Sequence, residues 1–145
     1  MRDKIIRIHW SYPGQIDNVI ASPESTEKGV YYISRDFGGH ETSLYLGKAT
    51  RTFRERLKAH NENWLTSVRG TIYIRLGLIE YPIKPTDEQI NDAESGILFS
   101  HKDIFPKNEK KIYSYSYKDV YRIENQGFRG KLPQFIRMQE HPDLI

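Results

Sequence analysis

The stretch Lys28-Gly-Val-Tyr-Tyr-Ile-Ser34 is followed after a short gap by Leu44-Tyr-Leu-Gly-Lys48. Each is an apolar run holding a tyrosine and a glycine. In the first the glycine precedes the tyrosine, and in the second it follows. Runs of this composition read as strands, here 29–34 and 43–47. Asp36-Phe-Gly-Gly39 supplies turn chemistry between them, so they pair as an antiparallel hairpin. In an extended chain Tyr31 shares a face with Gly29 and Ile33, and Tyr32 points the other way; Tyr45 shares a face with Ser43 and Gly47.

The hairpin leads into a helix that begins near Thr52. Thr52 and Glu55 stand in the S/T-x-x-E relation of a capping box, and Phe53, Leu57 and Trp64 recur on one side. Ile72, Ile74, Leu76 and Leu78 alternate along a third strand over 71–79. After Tyr81-Pro-Ile-Lys-Pro85, Thr86 and Gln89 open a second helix running to about Ser100. Strand, strand, helix, strand, helix predicts a small α+β fold: a central antiparallel three-stranded sheet flanked by helices. Residues 1–28 read as a leader with a turn at Tyr12-Pro-Gly14 and a polar loop at 22–27.

A chain of 145 residues suits one domain, 1–145, able to bury a core without staples. It has no cysteine, which removes disulfides, thiolate metal sites and cysteine nucleophiles. No apolar run reaches the roughly 20 residues of a membrane span, and the charged N-terminus lacks a signal-peptide core. The expectation is a soluble, cytoplasmic protein. The net charge of +3 names no partner. Its distribution is uneven: Lys48, Arg51, Arg54, Arg56 and Lys58 form one basic cluster, and Lys102, Lys107, Lys110 and Lys111 another. Such clusters are either solvated faces or surfaces for a polyanion.

Glu94 lies within the apolar stripe of the second helix, among Ile90, Ala93, Ile97 and Leu98. A bare buried carboxylate costs several kcal/mol, about what a partner must offset. Glu94 therefore meets solvent in a cleft, forms an ion pair, or holds a metal ion. On the first helix Thr52, Arg56 and His60 form one ridge beside Phe53 and Leu57.

Together these pieces resemble the GIY-YIG nuclease family. Gly29-Val-Tyr31 stands for the first signature and Tyr45-Leu-Gly47 for the second. Arg56 and His60 match the family's helix pattern, Glu94 its metal-binding glutamate, and Asn108 the asparagine that follows a proline. Lys48-Ala49 is similar to the Gly-Lys-Ala of the excision-repair branch. The resemblance covers about 28–110. Valine and leucine replace the signature isoleucines, and one extra residue lies between Tyr45 and Arg56.

The resemblance implies a metal-dependent DNA endonuclease with one Mg²⁺ or Mn²⁺ on Glu94 and Tyr31 as general base, its pKa lowered by the metal, Lys48 and Arg56. Arg56 would bind a phosphate oxygen, and Tyr45 would orient water or phosphate. His60 would position a phosphate oxygen or Tyr31, and Asn108 would brace the site near Glu94. Arg51, Arg54 and Lys58 could contact flanking phosphates of DNA. Tyr113, Tyr115 and Tyr117 either stack on bases or pack on the sheet. The alternative is a non-catalytic nucleic-acid-binding domain of the same fold. Sequence specificity would come from the segments outside the core, from a homodimer, or from a separate partner.

Overall fold

The computed structural model describes residues 4–111 and 117–139. The expected hairpin is present as β3 (Gly29–Phe37) and β4 (His40–Ala49), joined through Gly38 and Gly39. Both turn glycines have positive φ, 64° and 82°, the combination a two-residue hairpin turn requires. The third strand is β5 (Thr71–Tyr81), paired antiparallel to β3.

The sheet does not stop there. The expected three-stranded sheet is corrected to a seven-stranded mixed one. Along its other edge β5 takes β1 (Ile5–Trp10) and the short β2 (Gly14–Gln15), both antiparallel. β1 pairs in parallel with β6 (Arg122–Gly127), and β6 pairs antiparallel with β7 (Phe135–Arg137). The order is β4-β3-β5-β1-β6-β7, with β2 alongside β5. A three-stranded sheet would leave β5 with an open row of backbone donors and acceptors. Here β1 and β2 of the leader cover that row, and the C-terminal strands β6 and β7 extend the sheet beyond β1.

Among the described residues three α-helices accompany the sheet: α1 (Ile16–Ala21), α2 (Phe53–Asn63) and α3 (Asp87–His101). Thr52 caps α2 by accepting the Glu55 N–H at 3.2 Å. Thr86 and Gln89 form the full reciprocal box at the start of α3, at 3.0 and 3.1 Å. No helix among the described residues is long and apolar enough to cross a membrane.

Two apolar clusters divide the faces of the sheet. Ile6, Ile8, Trp10, Val30, Tyr32, Leu46 and Ile123 pack with Ile90, Ala93, Ile97 and Leu98 of α3. Tyr31, Ile33, Ile74 and Leu76 pack with Phe53 and Leu57 of α2 and Val19 of α1. Tyr117 is buried in the first cluster, edge-on to Phe99, as the packing alternative expects. Tyr113 and Tyr115 lie outside the described residues, as do the side chains of Lys102, Lys110 and Lys111.

Candidate active site

Strand register brings the two tyrosines together. Tyr31 pairs with Gly47, and Ile33 with Tyr45. A Cβ at position 47 would come within 2.4 Å of the Tyr31 ring and hydroxyl, so glycine there lets the phenol lie flat across β4. Gly29 has φ 156°, and a Cβ on it would lie 2.3 Å from the Gly77 carbonyl. The mirrored glycines thus make room for close approach at the base of the hairpin. The Tyr31 and Tyr45 rings stack at 6.1 Å, inclined by 27°.

One part of the expected alternation is corrected. Between Ile33 and Ser34 the register slips, leaving Leu44 as the extra residue of a bulge. Leu44 joins the cluster under α2, and Ser43 turns to the opposite face, where its hydroxyl meets that of Tyr32. Ser43 and Tyr45 therefore do not share a face.

The helix α2 carries the next three groups. His60 is buried, and its Nε2 lies 2.6 Å from the Tyr31 hydroxyl. Trp64, one turn later at the end of the helix, donates its indole N–H to His60 Nδ1 at 2.7 Å. Arg56 sits one turn before His60 at the exposed rim. Its guanidinium is engaged by both phenols, Tyr31 most strongly, and their negative forms raise its pKa further. In the sequence Trp64 stands in the apolar line of Phe53 and Leu57. Its spacing of four from His60 was the signal that it could also reach the imidazole.

The electrostatics of Tyr31 reverse one expectation. Burial pushes its pKa well above the ordinary phenol value, and the charges of Tyr45 and Glu94 push the same way; Arg56 opposes them but does not prevail. Tyr31 is neutral in the free protein at neutral pH. Lys48 does not point to the phenols but donates to Asn91 on α3.

Glu94 is only 3% exposed, which removes the reading that it meets open solvent. Its carboxylate is close enough to Tyr31 for its charge to act on that phenol. Asn108 binds the outer edge of β4: it accepts the Leu46 N–H and donates to the Leu46 carbonyl, both at 2.8 Å. It stands in for a further strand and fixes the backbone between Tyr45 and Gly47. Its brace is applied to the hairpin.

The basic residues of α2 separate by role. Arg54 donates to the Ile20 carbonyl at 3.0 Å and to Ser25 at 3.1 Å, tying α2 to the leader segment. Arg51 and Lys58 are exposed. A pocket of about 290 Å³ beside the phenols is lined by Lys48, Thr50, Arg51, Glu55 and Arg56. A larger one, about 650 Å³, lies at the far end of β5 against Lys4, Arg7 and Asp119. Its cations are already paired, Lys4 with Asp119 and Arg7 with Glu124. The smaller pocket gathers three cations, Lys48, Arg51 and Arg56, with Glu55 the one acid in its lining.

The donor chemistry can be set against the divalent metal that the resemblance implies. Glu94 offers a hard oxygen ligand within the site, which suits an ion that keeps several of its own waters. Among the described residues no group of three or more His, Asp or Glu gathers around one point. Comparison of the chain with protein-family models, characterised proteins and solved structures gives no match.

Proposed function

We propose that this chain is a metal-dependent DNA endonuclease of the GIY-YIG type, hydrolysing phosphodiester bonds at the Tyr31–Arg56–His60 face of the hairpin. The observation that carries the reading is the convergence at one point of a basic pocket, two stacked phenols, a histidine bonded to one of them and a buried carboxylate. A packing role alone gives no reason to place Arg56 against both phenols or to bury a carboxylate whose charge reaches Tyr31.

In this reading the pocket of Lys48, Arg51 and Arg56 holds the DNA backbone. Arg56 binds a non-bridging oxygen of the scissile phosphate with its planar fork of donors. Tyr45, stacked on Tyr31 and bonded to Arg56, orients the incoming water. The minor phenolate form of Tyr31, its own proton already released to solvent, takes the proton of that water as it attacks phosphorus; the new P–O bond forms as the bond to the 3′-oxygen breaks. Arg56 stabilises the negative charge that builds on the phosphate oxygens. Mg²⁺ or Mn²⁺ held by Glu94 would supply further neutralisation of that charge and a counter-charge to the leaving oxygen. Arg51 and Lys58 contact flanking phosphates. Arg54 uses its Nε–H to hold the leader, and the rest of its guanidinium can still face a flanking phosphate.

A second reading, a non-catalytic nucleic-acid-binding domain, draws on one observation: burial keeps Tyr31 neutral, so it is not a ready-made base. Supercoiled plasmid separates the two. The nuclease reading expects nicking or linearisation in Mg²⁺ and none in EDTA. Retarded but intact plasmid in both conditions would favour the binding domain, and neither retardation nor cutting would remove both.

A further inference from the structure

We propose that Trp64 is a positioning residue that sets the tautomer of His60 and thereby the direction in which Tyr31 presents its proton. The inference rests on the nuclease reading for its catalytic consequence and on geometry alone for the hydrogen bonds.

An indole N–H can only donate. Trp64 Nε1 lies 2.7 Å from His60 Nδ1, so Nδ1 is the acceptor and carries no proton. A neutral imidazole has one proton, which must then sit on Nε2. Nε2 lies 2.6 Å from the Tyr31 oxygen, so His60 donates to Tyr31. The hydroxyl proton of Tyr31 is turned away from His60, and Arg56, which can only donate, takes another lone pair of the same oxygen.

The consequence is a choice between two proton paths. With the opposite tautomer, Tyr31 would donate to His60, and the histidine could draw off the phenol proton. The Trp64 donor closes that path, because a proton on Nδ1 would face the indole N–H at hydrogen-bonding distance. The same conflict opposes the doubly protonated ring. His60 is therefore a fixed donor to the Tyr31 oxygen. It favours that oxygen when negative, and it leaves the remaining lone pairs to the water and to Arg56. Trp64 also rests on Tyr45, with ring centres 6.0 Å apart, so one side chain holds both the histidine and the second phenol.

Two measurements test this on the full chain. In uniformly ¹⁵N-labelled protein above the histidine titration range, a scalar coupling through the hydrogen bond is expected between Trp64 Nε1 and His60 Nδ1. His60 should show its proton on Nε2. A proton on Nδ1, or no coupling, would overturn the assignment without any variant being made. The second measurement is a cycle of plasmid-cleavage rates. Trp64→Phe keeps much of the packing and removes the donor, and should lower kcat about tenfold with little change in KM, the scale of losing a group that orients a histidine. In a His60→Gln background the same substitution should change kcat by less than about twofold, since its effect passes through His60. An undiminished tenfold loss in that background would mean Trp64 acts by packing alone, and the proposal would fail. A protein that shows the coupling but cuts no DNA would keep the tautomer assignment and overturn the nuclease reading.

Discussion

Tyr31 and Tyr32 are adjacent, equally buried at 0% exposure, and set on opposite faces of one strand. Tyr32 is surrounded by scaffold. Its ring meets Phe105 at 4.9 Å and Trp10 at 6.1 Å, and its hydroxyl meets Ser43 and accepts the Lys131 N–H at 3.1 Å. Arg75 lies over its ring at 5.0 Å, buried and paired with Glu41 at 3.1 Å. Tyr31 meets instead a histidine, the fork of Arg56 and a second phenol, with the charge of Glu94 acting on it and a basic pocket beside Arg56. Burial alone does not tell the two apart. The difference is whether the partners of the hydroxyl can titrate or bind a ligand, or only hold the chain in place.

Substitutions on the two faces should therefore separate activity from stability. The largest effect is expected for Glu94→Gln, which keeps the shape of the side chain and removes its charge. Mg²⁺-dependent cleavage should fall to background while DNA affinity stays within a few fold. Cleavage at the wild-type rate would remove Glu94 from the metal assignment.

The two arginines make the next test. Arg56→Ala should lower cleavage about a hundredfold, the scale of losing one transition-state donor, with little change in melting temperature. Arg75→Ala should do the reverse. It leaves Glu41 and Ser34 short of a partner, at a cost of about 1–3 kcal/mol, read as a lower melting temperature of about 2–4 °C per kcal/mol, with cleavage per folded molecule unchanged. If Glu55→Ala proves severe and Arg56→Ala mild, the helix residue that serves the phosphate has been misassigned.

The dependence on pH sharpens the same contrast. Burial raises the Tyr31 pKa, so the phenolate is the minor form at neutral pH and its fraction grows as pH rises. Cleavage at limiting DNA should climb from about pH 7 to about pH 9. A flat profile would mean that the step it reports does not need ionised Tyr31. A smaller effect separates two neighbouring cations: Arg51→Ala should weaken DNA binding and reduce its salt dependence, whereas Arg54→Ala should in addition loosen the leader, because its Nε–H holds Ile20 and Ser25.

The parts of this molecule legible in the sequence are those fixed by local chemistry. The paired glycines and tyrosines, the Gly38–Gly39 turn and the two threonine caps announce the hairpin and both long helices. The rest of the sheet was not read. In β1 the alternation of Ile6, Ile8 and Trp10 is present, but Arg7 and His9 between them gave the segment the look of a charged leader. Arg7 is answered only across the sheet, by Glu124 at 2.9 Å. β6 gives still less away, since Glu124 and Asn125 are buried polar residues. Asn125 takes the Trp10 indole N–H at 2.9 Å and gives to the Pro133 carbonyl at 2.9 Å. Long-range partners of that kind leave no periodic trace.

At the site, residue types and spacing named the groups but not their surroundings. The bulge at Leu44 reorients Ser43, and no turn residue marks it. The expected lowering of the Tyr31 pKa counted the metal, Lys48 and Arg56 and omitted burial, which outweighs Arg56. Arg54 and Arg51 look alike in the sequence, and only the packing of the leader against α2 distinguishes them.

The most direct test of the account pairs Tyr31→Phe with Tyr32→Phe. Each substitution removes one hydroxyl and keeps the ring, and both variants would be measured for plasmid cleavage in Mg²⁺ and for melting temperature. Tyr31→Phe should lose about 10²–10⁴-fold in rate, the range of a general base, and stay folded. Tyr32→Phe should lose about 1 kcal/mol of stability from its broken hydrogen bonds and cut at the wild-type rate when folded. Near-wild-type cleavage by Tyr31→Phe would show that both tyrosines are structural, and would contradict the assignment of the hairpin face as a nuclease site.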